Sequence, residues 1–289
     1  MATPANEVGW THREGRINGV RLHWVEAGEG PPVVLLHGFP EFSWGWHRQI
    51  QPLADAGFRV IAPDLRGYNL SDKPRGVASY RIETLVADVE ALIRHTGAER
   101  AHVVGHDWGG IIAWWLAMTA PHRVERLAIL NAPHPEAFRR EIRTPDQMRR
   151  SWYAMAFQLP ILPEMAIRAR DYALLEAVFR AESVRPGAFT DDDIRRYKQA
   201  AARPGALTVM INYYRAAGRY PRPETRIIPH PTLLIWGERD QALRPQLACG
   251  LEEWVPDIRI ECLPQASHWV AAEFPDRVTG LLTGFLRGT

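Results

Sequence analysis

Residues 102 to 115 read HVVGHDWGGIIAWW: an apolar strand pattern, a turn framed by Gly105 and Gly109, then a helix pattern, with Asp107 at the apex. In the turn G-x-S-x-G the apex residue is a nucleophilic serine held strained and exposed, and small flanking residues let strand and helix approach. Asp is also a favoured helix N-cap, but capping alone asks for no glycine on both sides. A carboxylate at this apex has its own chemistry. Serine attack on a saturated carbon would leave an ether, a dead end. Carboxylate attack leaves an ester whose carbonyl belongs to the enzyme, and water can open it again. With a reference pKa near ~3.9 the carboxylate needs no base to activate it, which frees a histidine for the water step. Asp107 therefore predicts substitution at an sp3 carbon bearing a leaving group.

The remaining parts can be sought by chemistry and chain order. VVLLHGFPE places His37-Gly38-Phe39-Pro40 directly after an early strand. Pro40 cannot donate, so the N–H of Phe39 is the expected partner of the Trp108 N–H in an oxyanion hole for the tetrahedral anion on the Asp107 carbonyl. Among 11 histidines, His268 in LPQASHWVAAEFPD lies in the loop after the last apolar strand. That is where the order nucleophile, acid, histidine would put it. The acid belongs between them at a strand end. WGERD offers Asp240 and, as the lesser option, Glu238; the alternative position, after RLAILN, holds Asn131, which carries no charge. The leaving group divides the substrates. A halide needs weak N–H donors, whereas an epoxide oxygen needs a proton, worth ~10^2–10^4 in rate. Tyr153 in RRSWYAMAFQLP and Tyr214 in INYYRAAGRY could converge to supply it. Spacing leaves Tyr213 and Tyr220 in competition, and a lone buried Tyr is more often packing than chemistry.

These residues need elements to hold them. PPVVLLHG, FRVIAPD, AHVVGHD, RLAILNAP, PTLLIWGERD and IRIECLP are short and nearly continuous in apolar residues, the pattern of strands buried on both faces of a parallel sheet. RLHWVEAG alternates and reads as an edge strand. Amphipathic helix patterns such as RIETLVADVEALIRHTG and GGIIAWWLAMTA lie between them, so the sheet should carry helices on both faces. From about Pro133 to Pro229 strand signal fades. IRARDYALLEAVFRAE, TDDDIRRYKQAA and GALTVMINYYRAAG read as a helical lid over the sheet. Trp44, Trp152 and Phe157 are candidates for an apolar pocket.

The chain has 289 residues, 46% of them hydrophobic and 24% charged, with a formal net charge of +2, enough for a sizeable core. FRREIR and QMRR are too short and interrupted for a nucleic-acid face. No apolar run reaches a membrane span. MATPANEVGW lacks the pattern of a secretory leader, and Cys249 and Cys262 have no metal-like spacing. The expected setting is cytoplasmic.

At these residues the chain resembles the epoxide hydrolases of the α/β-hydrolase superfamily, the soluble type most. HGFPE, DLRGYNLSDKP, GHDWGG, WGERD and SHW carry the resemblance, with WYAMAFQLP and INYYR in the helical stretch, and together they span nearly the whole chain. The resemblance implies an α/β-hydrolase fold, a mostly parallel central sheet flanked by helices, with residues 1–133 and 230–289 as core and 134–229 as a helical cap. It implies Asp107 as nucleophile, His268 as the base that activates water, Asp240 as its orienting acid, and Tyr153 and Tyr214 as donors to the epoxide oxygen. Tyr153 matches by lying four residues before FQ-x-P, and Tyr214 by directly preceding Arg215. It implies no metal or organic cofactor. The partners would be a small apolar epoxide and water, and a homodimer is compatible with it. Glu41 and His106 resemble positions that help place the hydrolytic water in some relatives; His37 is a third supporting candidate. Ser267 departs from the glycine the family often has before the histidine. A haloalkane dehalogenase is the runner-up, with Trp108 cradling a halide. Against it, Phe39 stands where many of those enzymes have Asn, and the two tyrosines would have no task. A catalytically silent binding or signalling module of the same fold is the reading from another class.

Overall fold

The structure, a computed structural model, describes residues 9–217 and 226–288. Its strands are β1 (Thr11–Ile17), β2 (Val20–Ala27), β3 (Pro32–Leu36), β4 (Arg59–Pro63), β5 (Ala101–His106), β6 (Val124–Leu130), β7 (Thr232–Gly237) and β8 (Ile258–Leu263). They form one sheet in the order β1-β2-β4-β3-β5-β6-β7-β8. The β1–β2 and β2–β4 pairs are antiparallel and every other pair is parallel.

The two-residue period of the strands divides the apolar runs between two cores. Val34, Leu36, Val103, Leu127, Ile129 and Leu234 face one side, while Val33, Leu35, Val104, Ala128, Leu130 and Leu233 face the other, all fully buried. Helices α1 (His47–Asp55), α2 (Ile82–His95) and α3 (Trp108–Thr119) follow strands β3, β4 and β5 in the chain. Leu85 of α2 and Ile112 of α3 close the first core, and Ile50 and Leu53 of α1 close the second. Each such side chain contributes about 1.5–3 kcal/mol on burial.

Several elements depart from the pattern reading. RLHWVEAG is not an edge: β2 pairs on both sides, and the edge is β1, whose THREGRI is exposed along most of its length. At the opposite edge β8 is only partly buried, because it has a neighbour on one side alone. GGIIAWWLAMTA is buried almost all round rather than amphipathic, since α3 is sandwiched between the sheet and its neighbours.

Between β6 and β7 lie α4 (Pro135–Glu141), α5 (Pro145–Arg150), α6 (Trp152–Ala156), α7 (Leu162–Glu182), α8 (Asp191–Ala202) and α9 (Ala206–Ala217). The segment IRARDYALLEAVFRAE is not one uninterrupted helix: Arg170, Asp171 and Tyr172 have left-handed backbone angles that divide α7. Thr190 and Asp193 form a reciprocal capping box at the start of α8. Side chains fasten this layer to the core. Trp44 Nε1 donates to Asp193 Oδ1 at 2.7 Å, the Tyr213 hydroxyl donates to the Arg66 carbonyl at 2.7 Å, and Arg203 donates to Asn69 at 2.9 Å. After β8 the chain ends in α10 (Val270–Glu273) and α11 (Pro275–Arg287), which complete the second core beside α1. Among the described residues no helix is long and apolar enough to cross a membrane. Tyr220 and residues 1–8 of MATPANEVGW lie outside the described residues.

Candidate active site

The carboxyl ends of β3, β5, β6, β7 and β8 all open toward one another, where an α/β sheet offers its crevice. His37, Asp107, Asn131, Asp240 and His268 come off these five ends. Asp107 sits between β5 and α3 with φ 49° and ψ −120°, a strained conformation for a residue with a Cβ. The strain is held by close backbone approach. A Cβ on Gly109 would lie 2.1 Å from the Leu36 carbonyl oxygen, and one on Gly105 would lie 2.4 Å from that of Gly109. A Cβ on Gly38 would lie 2.4 Å from the Cβ of Asp107 itself. The glycine frame is therefore a steric necessity of the turn.

The Phe39 N–H donates to Asp107 Oδ1 at 2.8 Å. His268 Nε2 lies 3.7 Å from Asp107 Oδ2, and His268 Nδ1 donates to Asp240 Oδ2 at 2.7 Å. Asp240 is itself tied down: Asn131 Nδ2 donates to the same oxygen at 2.8 Å, and the N–H groups of Ala242 and Leu243 donate to the other at 2.8 and 2.9 Å. Glu238 is exposed, so the two candidate acids are separated by burial. Asn131, which fails as an acid, instead braces the acid and also binds both polar groups of Gly237.

Electrostatics follow from these contacts. Burial raises the Asp240 carboxyl, but attraction and hydrogen bonding from His268, Asn131 and Leu243 outweigh it and leave the group below the ordinary carboxylate range. Burial lowers His268, yet Asp240, Asp107 and Glu182 outweigh that and raise it to about 9. At neutral pH the resting His268 is therefore an imidazolium, 3.7 Å from Asp107.

The supporting residues divide in their contacts. His37 accepts from the Leu65 N–H through Nε2 and donates from Nδ1 to the Gly38 carbonyl, and burial depresses its pKa, so it is a neutral strut for the loop that carries Phe39. His106 contacts the Glu41 carboxylate through Nδ1 at 3.1 Å and the His268 carbonyl through Nε2 at 3.0 Å. Both neighbours are acceptors, so both bonds are complete only when both ring nitrogens carry hydrogen. Glu41 is buried, which raises its carboxyl, but His106 wins and lowers it. Glu41 and His106 also line a void of about 10 Å³, close to the room one water needs.

On the cap side, Tyr153, Phe157 and Tyr214 form an aromatic cluster with Phe39 and Trp108. Ring centroids are 5.8 Å apart for Tyr153–Tyr214, 5.0 Å for Phe157–Tyr214, 5.3 Å for Phe39–Tyr214 and 5.1 Å for Trp108–Tyr214. Burial raises both tyrosine pKa values, followed by repulsion from Asp107, so both are neutral phenols within electrostatic reach of that carboxyl. The Trp108 indole stands edge-on to the Tyr214 ring and opposes a small part of that rise. Tyr213 points elsewhere, into a cluster with Tyr68 and Tyr80. Of the three candidate pocket aromatics only Phe157 joins the cluster. Trp44 is buried at the cap–core seam, and Trp152 is 67% exposed on the outer side of α6. A surface cleft of about 400 Å³ between α7 and α8 contains none of these groups.

The residues match known proteins along nearly their whole length. The alpha/beta hydrolase fold family matches residues 31–275. An AB hydrolase superfamily protein of Bacillus subtilis, YfhM, is 46% identical over 276 residues, which cover 93% of this chain and 96% of that protein. Epoxide hydrolase 4 of Mus musculus is 37% identical over 287 residues, covering 96% of this chain and 80% of its own. The crystal structure of an epoxide hydrolase variant from Bacillus megaterium superposes with a TM-score of 0.87 at 34% identity, covering 95% of this chain and all 100% of that one. Another variant of that enzyme, at 33% identity and the same TM-score of 0.87, is complexed with its product (R)-3-[1]naphthyloxy-propane-1,2-diol.

Proposed function

The chain belongs to the epoxide hydrolase group of the α/β-hydrolase superfamily, and we propose that it converts apolar epoxides to vicinal diols through a covalent ester on Asp107. The observation that carries this reading is the meeting of an elbow carboxylate with two neutral phenols. Asp107 attacks an oxirane carbon in line with the breaking C–O bond, while Tyr153 and Tyr214 donate to the oxygen as charge develops on it.

Ring opening also prepares the second step. Alkylation removes the charge on Asp107, one of the groups that hold the His268 pKa up. The imidazolium becomes more acidic and gives up its proton, which replaces the one the phenols passed to the alkoxide. Neutral His268 then deprotonates a water. The hydroxide adds to the Asp107 ester carbonyl, and the N–H groups of Phe39 and Trp108 stabilise the tetrahedral anion. Collapse passes the added hydroxyl's proton to the departing alkoxide, releasing the diol and regenerating the carboxylate, with Asp240 stabilising the imidazolium that the water step forms. Glu41 and His106 steady the His268 backbone and hold water within reach. Residues 134–229 act as the cap that brings the phenols over residues 1–133 and 230–289. The two free, exposed cysteines, Cys249 and Cys262, support a reducing, cytoplasmic setting.

The dehalogenase reading leaves Tyr153 and Tyr214 without a task, because a departing halide takes no proton whereas an alkoxide needs one. A panel of epoxides assayed for diol, with chiral analysis, beside simple haloalkanes assayed for halide, tests the assignment. Diol formation without halide release is expected. Halide release with no diol from styrene oxide would reverse it. With His268→Gln, mass spectrometry should find substrate mass trapped on the peptide that contains Asp107; a fully active variant would overturn the roles of Asp107 and His268.

A further inference from the structure

Glu273, at the end of α10, is fully buried, and its carboxylate has no ion-pair partner among the described residues. Four hydrogen bonds compensate it. The Ser267 N–H donates to Oε2 at 2.7 Å. The hydroxyls of Ser267 and Ser183 and the Val184 N–H donate to Oε1 at 2.8, 2.9 and 2.7 Å. The donors come from two places: Ser267 immediately precedes His268, while Ser183 and Val184 leave the end of α7 in the cap. Around this joint Arg185 donates to the Glu273 carbonyl and stacks over Phe274, and Trp269 Nε1 donates to the Val178 carbonyl at 3.2 Å. Fully satisfied buried charge networks resist piecemeal change, because losing one donor leaves the charge under-compensated.

We propose that Glu273 is a positioning residue that couples the cap to the base, its carboxylate clamping the His268 loop to the exit of α7 so that a displacement of one is felt at the other. The inference rests on His268 being the base of the ester-hydrolysis step.

Glu273→Gln tests this with little change of shape. Serine hydroxyls can turn to accept from an amide NH2, but the Val184 and Ser267 N–H groups face opposite oxygens. Whichever way the amide sits, one of them loses its acceptor. In single-turnover experiments we expect ester hydrolysis to slow by about 10- to 100-fold, while ester formation changes less than about threefold. Ser183→Ala and Ser267→Ala each cut one hydroxyl, from opposite sides. Their double-mutant cycle on the hydrolysis rate should show coupling of about two- to tenfold with Glu273 present and none with Glu273→Gln. Hydrogen exchange at the Ser267 amide should quicken in Ser183→Ala.

Additive rates in the Glu273 background, an unchanged Ser267 amide, or equal losses in ester formation and hydrolysis would each overturn the coupling and leave Glu273 a purely structural group. The exchange measurement needs no turnover. If the wild-type protein formed no ester at all, the functional reading would fall while the exchange result still decided whether Glu273 joins the two segments.

Discussion

Asp240, on the sheet side of the site, receives four hydrogen bonds from His268, Asn131, Ala242 and Leu243, whereas Tyr153, on the cap side, meets Phe157 and Tyr214 ring to ring. The contrast extends to the neighbours. Asp107 is set by backbone contacts that leave no room for a single methyl on Gly38, Gly105 or Gly109. The cap tyrosines are set by aromatic packing, which has broad minima and tolerates small shifts. On the mechanism proposed above, the sheet side would be a fixed constellation for breaking the ester and the cap side an adaptable surface for recognising the epoxide, and substrate preference should be sought there.

The largest expected effect comes from breaking the sheet side. Asp107→Asn should reduce diol formation by about four orders of magnitude or more, as losing a nucleophile does elsewhere, measured by initial rates with styrene oxide. The cap side should yield less. Tyr153→Phe and Tyr214→Phe should each lose about 10- to 100-fold in kcat/KM, the double variant up to about 10^4-fold, and the loss should shrink for epoxides whose opening needs less proton donation. If either single variant lost as much as Asp107→Asn, the division between a fixed and an adaptable side would fail.

Stability should separate the same regions. Gly109→Ala places a Cβ 2.1 Å from a backbone oxygen and should destabilise the fold by about 1–3 kcal/mol or more. Met155→Ala, on the outer cap surface where Met155 is 74% exposed, should stay within about 0.5 kcal/mol. Chemical denaturation reads both.

A smaller effect is electrostatic. His268 is raised from 6.5 to about 9, so its proton is bound more tightly in the folded state. The stabilisation this brings is fully present below about pH 6.5 and fades as pH rises through about 9. Asp240, lowered from its usual value, contributes in the opposite sense, with stability that is lost as the solution is made acidic. The stability advantage of the wild type over His268→Gln should therefore narrow between about pH 6.5 and about 9.5. A constant advantage across that range would contradict the charge assignment.

Much of the sheet was legible because buried parallel strands write themselves as apolar runs, and β3 to β7 do so. β1 was not, because THREGRI is a solvent-facing edge with no apolar period. Asp107 stood out because its glycine frame answers a steric demand that local sequence alone expresses. Asp240 and Glu238 are separated by two positions, and only burial distinguishes them. Tyr213 and Tyr214 are adjacent on α9, and helical rotation alone sends one to the Arg66 carbonyl and the other to the site. Asn131 was visible as a failed acid, but its service to Asp240 depends on how β6 lies beside β7. Glu273 left no local signal: two of its donors lie far away in the cap, and EFP reads as an ordinary helix junction.

The central claim is that the Asp107 carboxylate bonds to substrate carbon and is restored by water attacking its own carbonyl. Single turnover of excess enzyme in heavy-oxygen water, followed by mass spectrometry of the diol and of the Asp107 peptide, tests it directly. The account predicts heavy oxygen in the aspartate and none from solvent in the first-cycle diol. Solvent label confined to the diol in that first cycle would mean that water opens the ring itself, and the account would be wrong.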